Sequence, residues 1–171
     1  MGENQDLDFD FNFTGNKNNA NIRTHIEPFR FNINKRYYNI DLVYRVLAID
    51  DESGAGKTLF IRDLLDSRTQ DIKDKDTQEK FMIAYFNGHT QSEVLYKYVK
   101  NTDLTNTFVI IDDIEYIDPD ELLKGILKTK NNNTQWLLLG HGNFVGISSM
   151  DAIRRMHVKT TGQKKEISFI Y

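Results

Sequence analysis

Val43-Tyr44-Arg45-Val46-Leu47-Ala48-Ile49-Asp50 runs directly into Asp51-Glu52-Ser53-Gly54-Ala55-Gly56-Lys57-Thr58, and that into Leu59-Phe60-Ile61-Arg62-Asp63-Leu64-Leu65-Asp66. The first block is largely apolar over 43–49, as expected of a strand covered on both faces. The last places Ile61, Leu64 and Leu65 at helical spacing and predicts a helix over 57–66. Between them lies a loop of acidic and small residues. Small residues let successive backbone N–H groups turn inward, and the start of a helix adds partial positive charge, so an anion such as phosphate is the matching ligand. In that setting Ser53, Gly54, Ala55 and Gly56 offer backbone, Lys57 reaches the terminal phosphates, and the Thr58 hydroxyl sits on magnesium.

Reading toward the C-terminus, 81–86 is a second buried strand, 92–99 a helix, and 108–111 a third strand. That third strand, Phe108-Val109-Ile110-Ile111, ends in Asp112-Asp113, where one carboxylate can hold a magnesium ion that also touches substrate oxygens. Lys57 and Asp112 lie 55 residues apart. A helix, a strand and a helix fit between them, so the acid-tipped strand is not the next one in sequence after the loop strand. The following helix has a marked start: Asp118 as cap, Pro119 at the first position, Glu121 where a capping-box acid reaches back. Leu122, Leu123, Ile126 and Leu127 give it one apolar face. Residues 136–139 form a fourth strand running into Gly140-His141-Gly142-Asn143. Ser148 and Asp151 are spaced as a second capping box, predicting a short helix through Arg155, and 166–171 closes the chain as a strand. Strands alternating with helices predict a parallel sheet with helices on both faces.

Toward the N-terminus, Phe29, Phe31 and Ile33 alternate, Asn34-Lys35 suits a turn, and 37–40 returns as the second arm of a β-hairpin. Residues 1–25 read as an acidic, Asn-rich tail, with 26–171 as the folded domain. Within the tail Leu7, Phe9, Phe11 and Phe13 alternate with Asp8, Asp10 and Asn12, the period of a half-buried strand. At 171 residues, 39% hydrophobic and 27% charged, the chain fits one globular domain. The absence of cysteine excludes disulfides and thiolate metal sites. Apolar runs are too short to span a bilayer, and the acidic start shows no secretory signal, so a cytoplasmic location without a membrane partner is expected. A net charge of −3 does not indicate nucleic acid as a partner. The chain from residue 151 onward is locally basic, carrying Arg154, Arg155, Lys159, Lys164 and Lys165 against Asp151 and Glu166.

Asp51 to Thr58 resembles a Walker A motif and Phe108 to Asp113 a Walker B motif. With an extra strand between them, the chain is similar over 43–171 to the P-loop NTPase division that includes AAA+ proteins, replication initiators, helicase loaders and STAND ATPases. The resemblance implies a three-layer α/β core with a mainly parallel five-stranded sheet, the loop strand lying between the last and fourth strands. It implies ATP and Mg2+ as ligands, with Lys57 on phosphate and Thr58 and Asp112 on the metal. Asp113 is its first candidate to orient the attacking water and Glu115 its second, and Asn143 or His141 is placed to sense the terminal phosphate. Departures are the acidic Asp51 where a glycine stands in the full pattern, the absence of a lid after the last strand, and no arginine marked as a finger. Two readings stay open. One is a slow ATPase or ATP-dependent switch that works with a second copy or another protein. The other is a non-catalytic P-loop scaffold with a degenerate Walker A. A small-molecule kinase fits less well, since no segment forms a recognisable arginine-bearing lid.

Overall fold

The computed structural model describes residues 23–50, 56–67, 72–140 and 153–170. The strands are β1 (Phe29–Ile33), β2 (Arg36–Ile40), β3 (Val46–Asp50), β4 (Met82–Asn87), β5 (Thr107–Asp112), β6 (Thr134–Gly140), β7 (Ile153–Thr161) and β8 (Lys164–Ile170). The helices are α1 (Lys57–Asp66), α2 (Ser92–Asn101) and α3 (Pro119–Lys128), with a 3-10 turn at Ile114–Tyr116. They form an α/β protein with one sheet ordered β1-β2-β8-β7-β3-β6-β5-β4.

Period-two alternation in the central strands explains the layering. Val46, Ala48, Val109, Ile111, Trp136 and Leu138 face one side and pack with Leu95 and Val99 of α2 and Leu122 and Ile126 of α3. Leu47, Ile49, Phe108, Ile110, Leu137 and Leu139 face the other and pack with Phe60, Ile61 and Leu64 of α1. Both sides of β3, β5 and β6 are therefore dry, which is why these strands read as continuous apolar runs. The strands β3, β6, β5 and β4 are mutually parallel, so their C-terminal ends share one edge.

The expected hairpin is present: β1 and β2 pair antiparallel, and Asn34 and Lys35 both take positive φ, 47° and 64°, as a two-residue turn with the twist of the flanking strands requires. The five-stranded expectation is corrected. The sheet has eight described strands and is mixed, because β8 runs antiparallel to β7 and the antiparallel hairpin joins it beyond β8. The loop strand β3 lies between β6 and β7, not beside the last strand, and among the described residues β7 pairs with it at Ala48↔Ile153 and Ile49↔Arg154. Beyond that point β7 pairs antiparallel with β8, and β8 pairs parallel with β2. Ile167 and Phe169 of β8 are drawn into the core beside Phe60, and Tyr38 and Ile40 of β2 bury with them, so α1 is covered by this second group of strands.

Three local expectations also change. Residues 153–155 belong to β7 rather than to a helix through Arg155, since Ile153 and Arg154 pair with β3 and Arg155 pairs with Ile170 of β8; 148–152 lie outside the described residues. The loop strand begins at Val46 rather than Val43, whose φ of 57° is incompatible with a strand. The start of α3 is half as read: Asp118 caps it by accepting from the Asp120 N–H at 2.9 Å, but the Asp118 N–H donates to the Tyr96 hydroxyl at 2.9 Å, and Glu121 instead faces Lys124 at 3.5 Å. Packing also reaches into the stretch read as tail, since buried Thr24 donates to Gln135 at 2.6 Å.

Candidate functional site at the C-terminal edge of the parallel strands

Helix α1 starts without a side-chain cap. Gly56 holds the N-cap position at φ 103°, a conformation that disfavours any residue with a Cβ, and its carbonyl accepts from the Phe60 N–H at 2.8 Å. Lys57 is the first helical residue and is buried, while Thr58 beside it is exposed. Ser53, Gly54, Ala55, Asp51 and Glu52 lie outside the described residues, as do His141 and Asn143. Asp50, the last residue of β3, is half-buried in register with Gly140.

Asp112 ends β5 and is only 3% exposed. Its Oδ2 accepts from the Thr58 hydroxyl at 3.2 Å and its Oδ1 from the Asp113 N–H at 2.9 Å. Burial pushes its carboxyl above the ordinary value and the like charge of Asp113 adds to that, while hydrogen bonds from Asp113 and Thr58 and the nearby Lys57 ammonium pull it back. The two halves of the sequence reading, 54 residues apart at Thr58 and Asp112, thus meet as one polar pair beside the start of α1.

Asp113 takes the left-handed conformation, φ 52°, which Asp tolerates better than most residues. That turn carries its side chain toward β4, where the Asn87 Nδ2 donates to Asp113 Oδ2 at 2.9 Å. Asn87 is itself held: its Oδ1 accepts from the His89 and Thr90 N–H groups at 2.9 and 3.1 Å, and its own N–H donates to Gln91 Oε1 at 2.8 Å. The carbonyl oxygen of its amide is used by the turn, so the NH2 end is the one facing Asp113. Asn87 was not singled out from sequence; its position at the polar end of an apolar strand was the available signal, and its register with Asp112 came with the sheet. Gly88 seals the same corner, donating its N–H to the Asp112 carbonyl at 2.7 Å. Tyr85, one turn of the pleat earlier, has its hydroxyl pushed up by burial and by Asp112 and Asp113.

Glu115 sits apart from this pair. It is exposed in the 3-10 turn and lies against the end of β6, where a Cβ on Gly140 would come within 2.5 Å of its Oε1. The two candidate bases therefore point to different strands, Asp113 to β4 and Glu115 to β6. Among the described residues, the group of three His, Asp or Glu side chains close enough to share a metal is His25, Asp74 and Asp76. It lies at the other end of the sheet, and Asp74 already accepts from the Asp76 and Thr77 N–H groups and from Asn133 ahead of β6.

Parallel strands whose C-terminal ends gather a helix N-terminus, a lysine, a hydroxyl and a buried carboxylate are consistent with a P-loop-like α/β fold. No protein-family model matches the chain, and no curated protein does. Among solved structures it is similar to the N-terminal domain of zonular occludens toxin from Neisseria meningitidis, at 11% identity and a TM-score of 0.43, over 68% of this chain and 78% of that one. A likeness of that size carries no argument about what the chain does. No helix among the described residues is long and apolar enough to cross a membrane.

Proposed function

We propose that the chain binds a nucleoside triphosphate, ATP, as its magnesium complex, and acts as a slow ATPase or ATP-dependent switch together with a partner. The observation that carries this reading is the contact of Thr58 with buried Asp112 at the start of α1. A buried carboxylate whose charge is disfavoured by its surroundings, next to a hydroxyl, is a donor set that fits a small hard cation. Bound magnesium would supply charge neutralisation on the phosphate oxygens. Around it, Lys57 and the N–H groups of 53–57 bind phosphate, and Asp112 with Thr58 holds the metal. Asp113 orients the attacking water, and Asn87 is a positioning residue that fixes its carboxylate. Asn143 beyond β6 senses the terminal phosphate.

Calorimetric titration with magnesium–ATP tests the reading. Wild type should give a heat of binding at or below millimolar ATP. Lys57→Ala should lose most of the affinity, because the ammonium faces the most highly charged phosphates from a buried position. Absence of any heat in the wild type removes this function and favours the non-catalytic scaffold.

A further inference from the structure

Strands β1, β2, β8 and β7 turn one face to α1, where Tyr38 and Phe169 close on Phe60 with ring centroids 5.6 Å away, and Ile167 buries with them. Side chains alternate along a strand, so the residues between these point to the opposite face. Register sets them in a row, Asn32 beside Tyr37, Tyr37 beside Glu166, Glu166 beside Lys159. Arg30, opposite Asn39, and His157, two residues before Lys159, flank it. All of these side chains are exposed, Tyr37 at 40%. Lys164 lies on the same face, its ammonium 4.7 Å from the centre of the Tyr37 ring and 3.7 Å from Glu166.

The charge of this face differs from that of the chain as a whole. The chain carries a net charge of −3, whereas here Arg30, Lys159 and Lys164 meet one acid among the described residues, Glu166. Lys35 adds a cation at the rim, where it donates to Gln163 of the β7–β8 turn at 2.7 Å. The net charge therefore conceals a basic surface with an aromatic ring on it, the pairing by which proteins hold unpaired strands. We infer that this face binds single-stranded nucleic acid, with phosphates on Arg30, Lys159 and Lys164 and a base stacked on Tyr37.

From β1 to β7 is three strand steps, about 14 Å, which roughly four nucleotides cover at about 3.4 Å each. A base reaches Tyr37 only when it is free of its own stack and pairing partner, so an intact duplex fits poorly. Lys164 already stands at the ring. A stacked base brings its phosphate to that ammonium, and the pair with Glu166 is exchanged for one with phosphate. Glu166 thus holds Lys164 in place and opposes binding. Asn32 and Asn39 offer amides that donate and accept at base edges. An anionic membrane would share the cations, but among the described side chains of this face none is aliphatic and able to enter it.

Fluorescence anisotropy of the full chain with labelled oligo-dT and oligo-U tests the assignment. Binding of either supports it, and their ratio tells whether the 2′-hydroxyl is read. With three phosphate contacts the affinity should fall about twentyfold between about 50 and 200 mM salt. Lys159→Ala/Lys164→Ala should weaken binding at least about tenfold and flatten that salt dependence. Lys97→Ala/Lys124→Ala, the same charge change at exposed positions on α2 and α3, should change it less than about twofold. Tyr37→Ala should cost about tenfold, while Tyr37→Phe keeps wild-type binding. Glu166→Gln should bind more tightly than wild type. No anisotropy change with either oligonucleotide, equal losses from the two lysine pairs, equal binding of a duplex, or binding of phosphatidylserine vesicles in place of the oligonucleotides overturns the assignment.

Discussion

Replacing Asp112 by Asn should stabilise the ligand-free protein while abolishing its response to magnesium–ATP. The carboxylate is 3% exposed, and burial is the largest influence raising its pKa above the ordinary carboxylate value of 3.8. A raised folded-state pKa means that the folded protein holds this proton more tightly than the unfolded chain does. Its contribution then favours folding at acid pH and is lost as pH rises through the raised value, so at neutral pH the buried charge opposes folding. Asn removes the charge and keeps both contacts: its Oδ1 accepts from the Asp113 N–H, and its NH2 donates to the Thr58 hydroxyl, which turns from donor to acceptor. Each unit of pKa elevation corresponds to about 1.4 kcal/mol. The variant should therefore melt above the wild type, by a margin that reads how far burial raises the carboxyl. Thermal melts in chelator at pH 7 measure it, and the difference should shrink as pH is lowered. Adding magnesium–ATP at 100 times its Kd should stabilise the wild type by about 2.7 kcal/mol and the variant by far less. A variant that melts below the wild type in chelator refutes the reasoning about the buried charge. One that responds fully to magnesium–ATP refutes the metal role.

Asp113→Asn should leave nucleotide affinity within about twofold and lower turnover in a phosphate-release assay by the 10² or more typical of a lost base; a matching loss of affinity would place Asp113 in binding instead. Asp63, 1% exposed on α1, accepts both Arg36 bonds at 2.7 and 2.9 Å and the Tyr38 hydroxyl. Burial alone would raise its carboxyl, but Arg36 and Tyr38 outweigh that and hold it below 3.8. Its stabilising contribution is thus present above the ordinary carboxylate pKa and lost as pH falls through the lower folded value. Asp63→Asn should cost about 3 kcal/mol in denaturant melts at pH 7, and the cost should shrink below about pH 4; a pH-independent cost counts against this account. Gly88→Ala brings a Cβ to 2.4 Å from the Asp113 carbonyl and 3.0 Å from that of Asp112, both backbone. It should destabilise by about 1–3 kcal/mol, and wild-type stability would mean that this corner yields easily.

Local periodicity made much of the molecule legible. The helix over Lys57–Asp66, the start of α3 at Asp118-Pro119, the hairpin turn at Asn34-Lys35 and the strand tipped by Asp112 all rest on residues a few positions apart, whose spacing and turn chemistry act before any long-range contact forms. The proximity of Thr58 to Asp112 was inferable only because both suit one magnesium ion, and the fold realises it by running β3 and β5 parallel on either side of β6. Tertiary structure alone decided the rest. Alternation identifies β8 as a strand but carries no information on which edge it joins. That choice followed from burying Ile167 and Phe169 against Phe60, and it brought the hairpin into the same sheet. Asn87 meets Asp113 across 26 residues and Arg36 meets Asp63 across 27, because adjacent strands and a crossing helix bring their ends together. Partners so far apart in sequence leave no periodic trace; they are selected when the packed chain must satisfy every buried polar group at once.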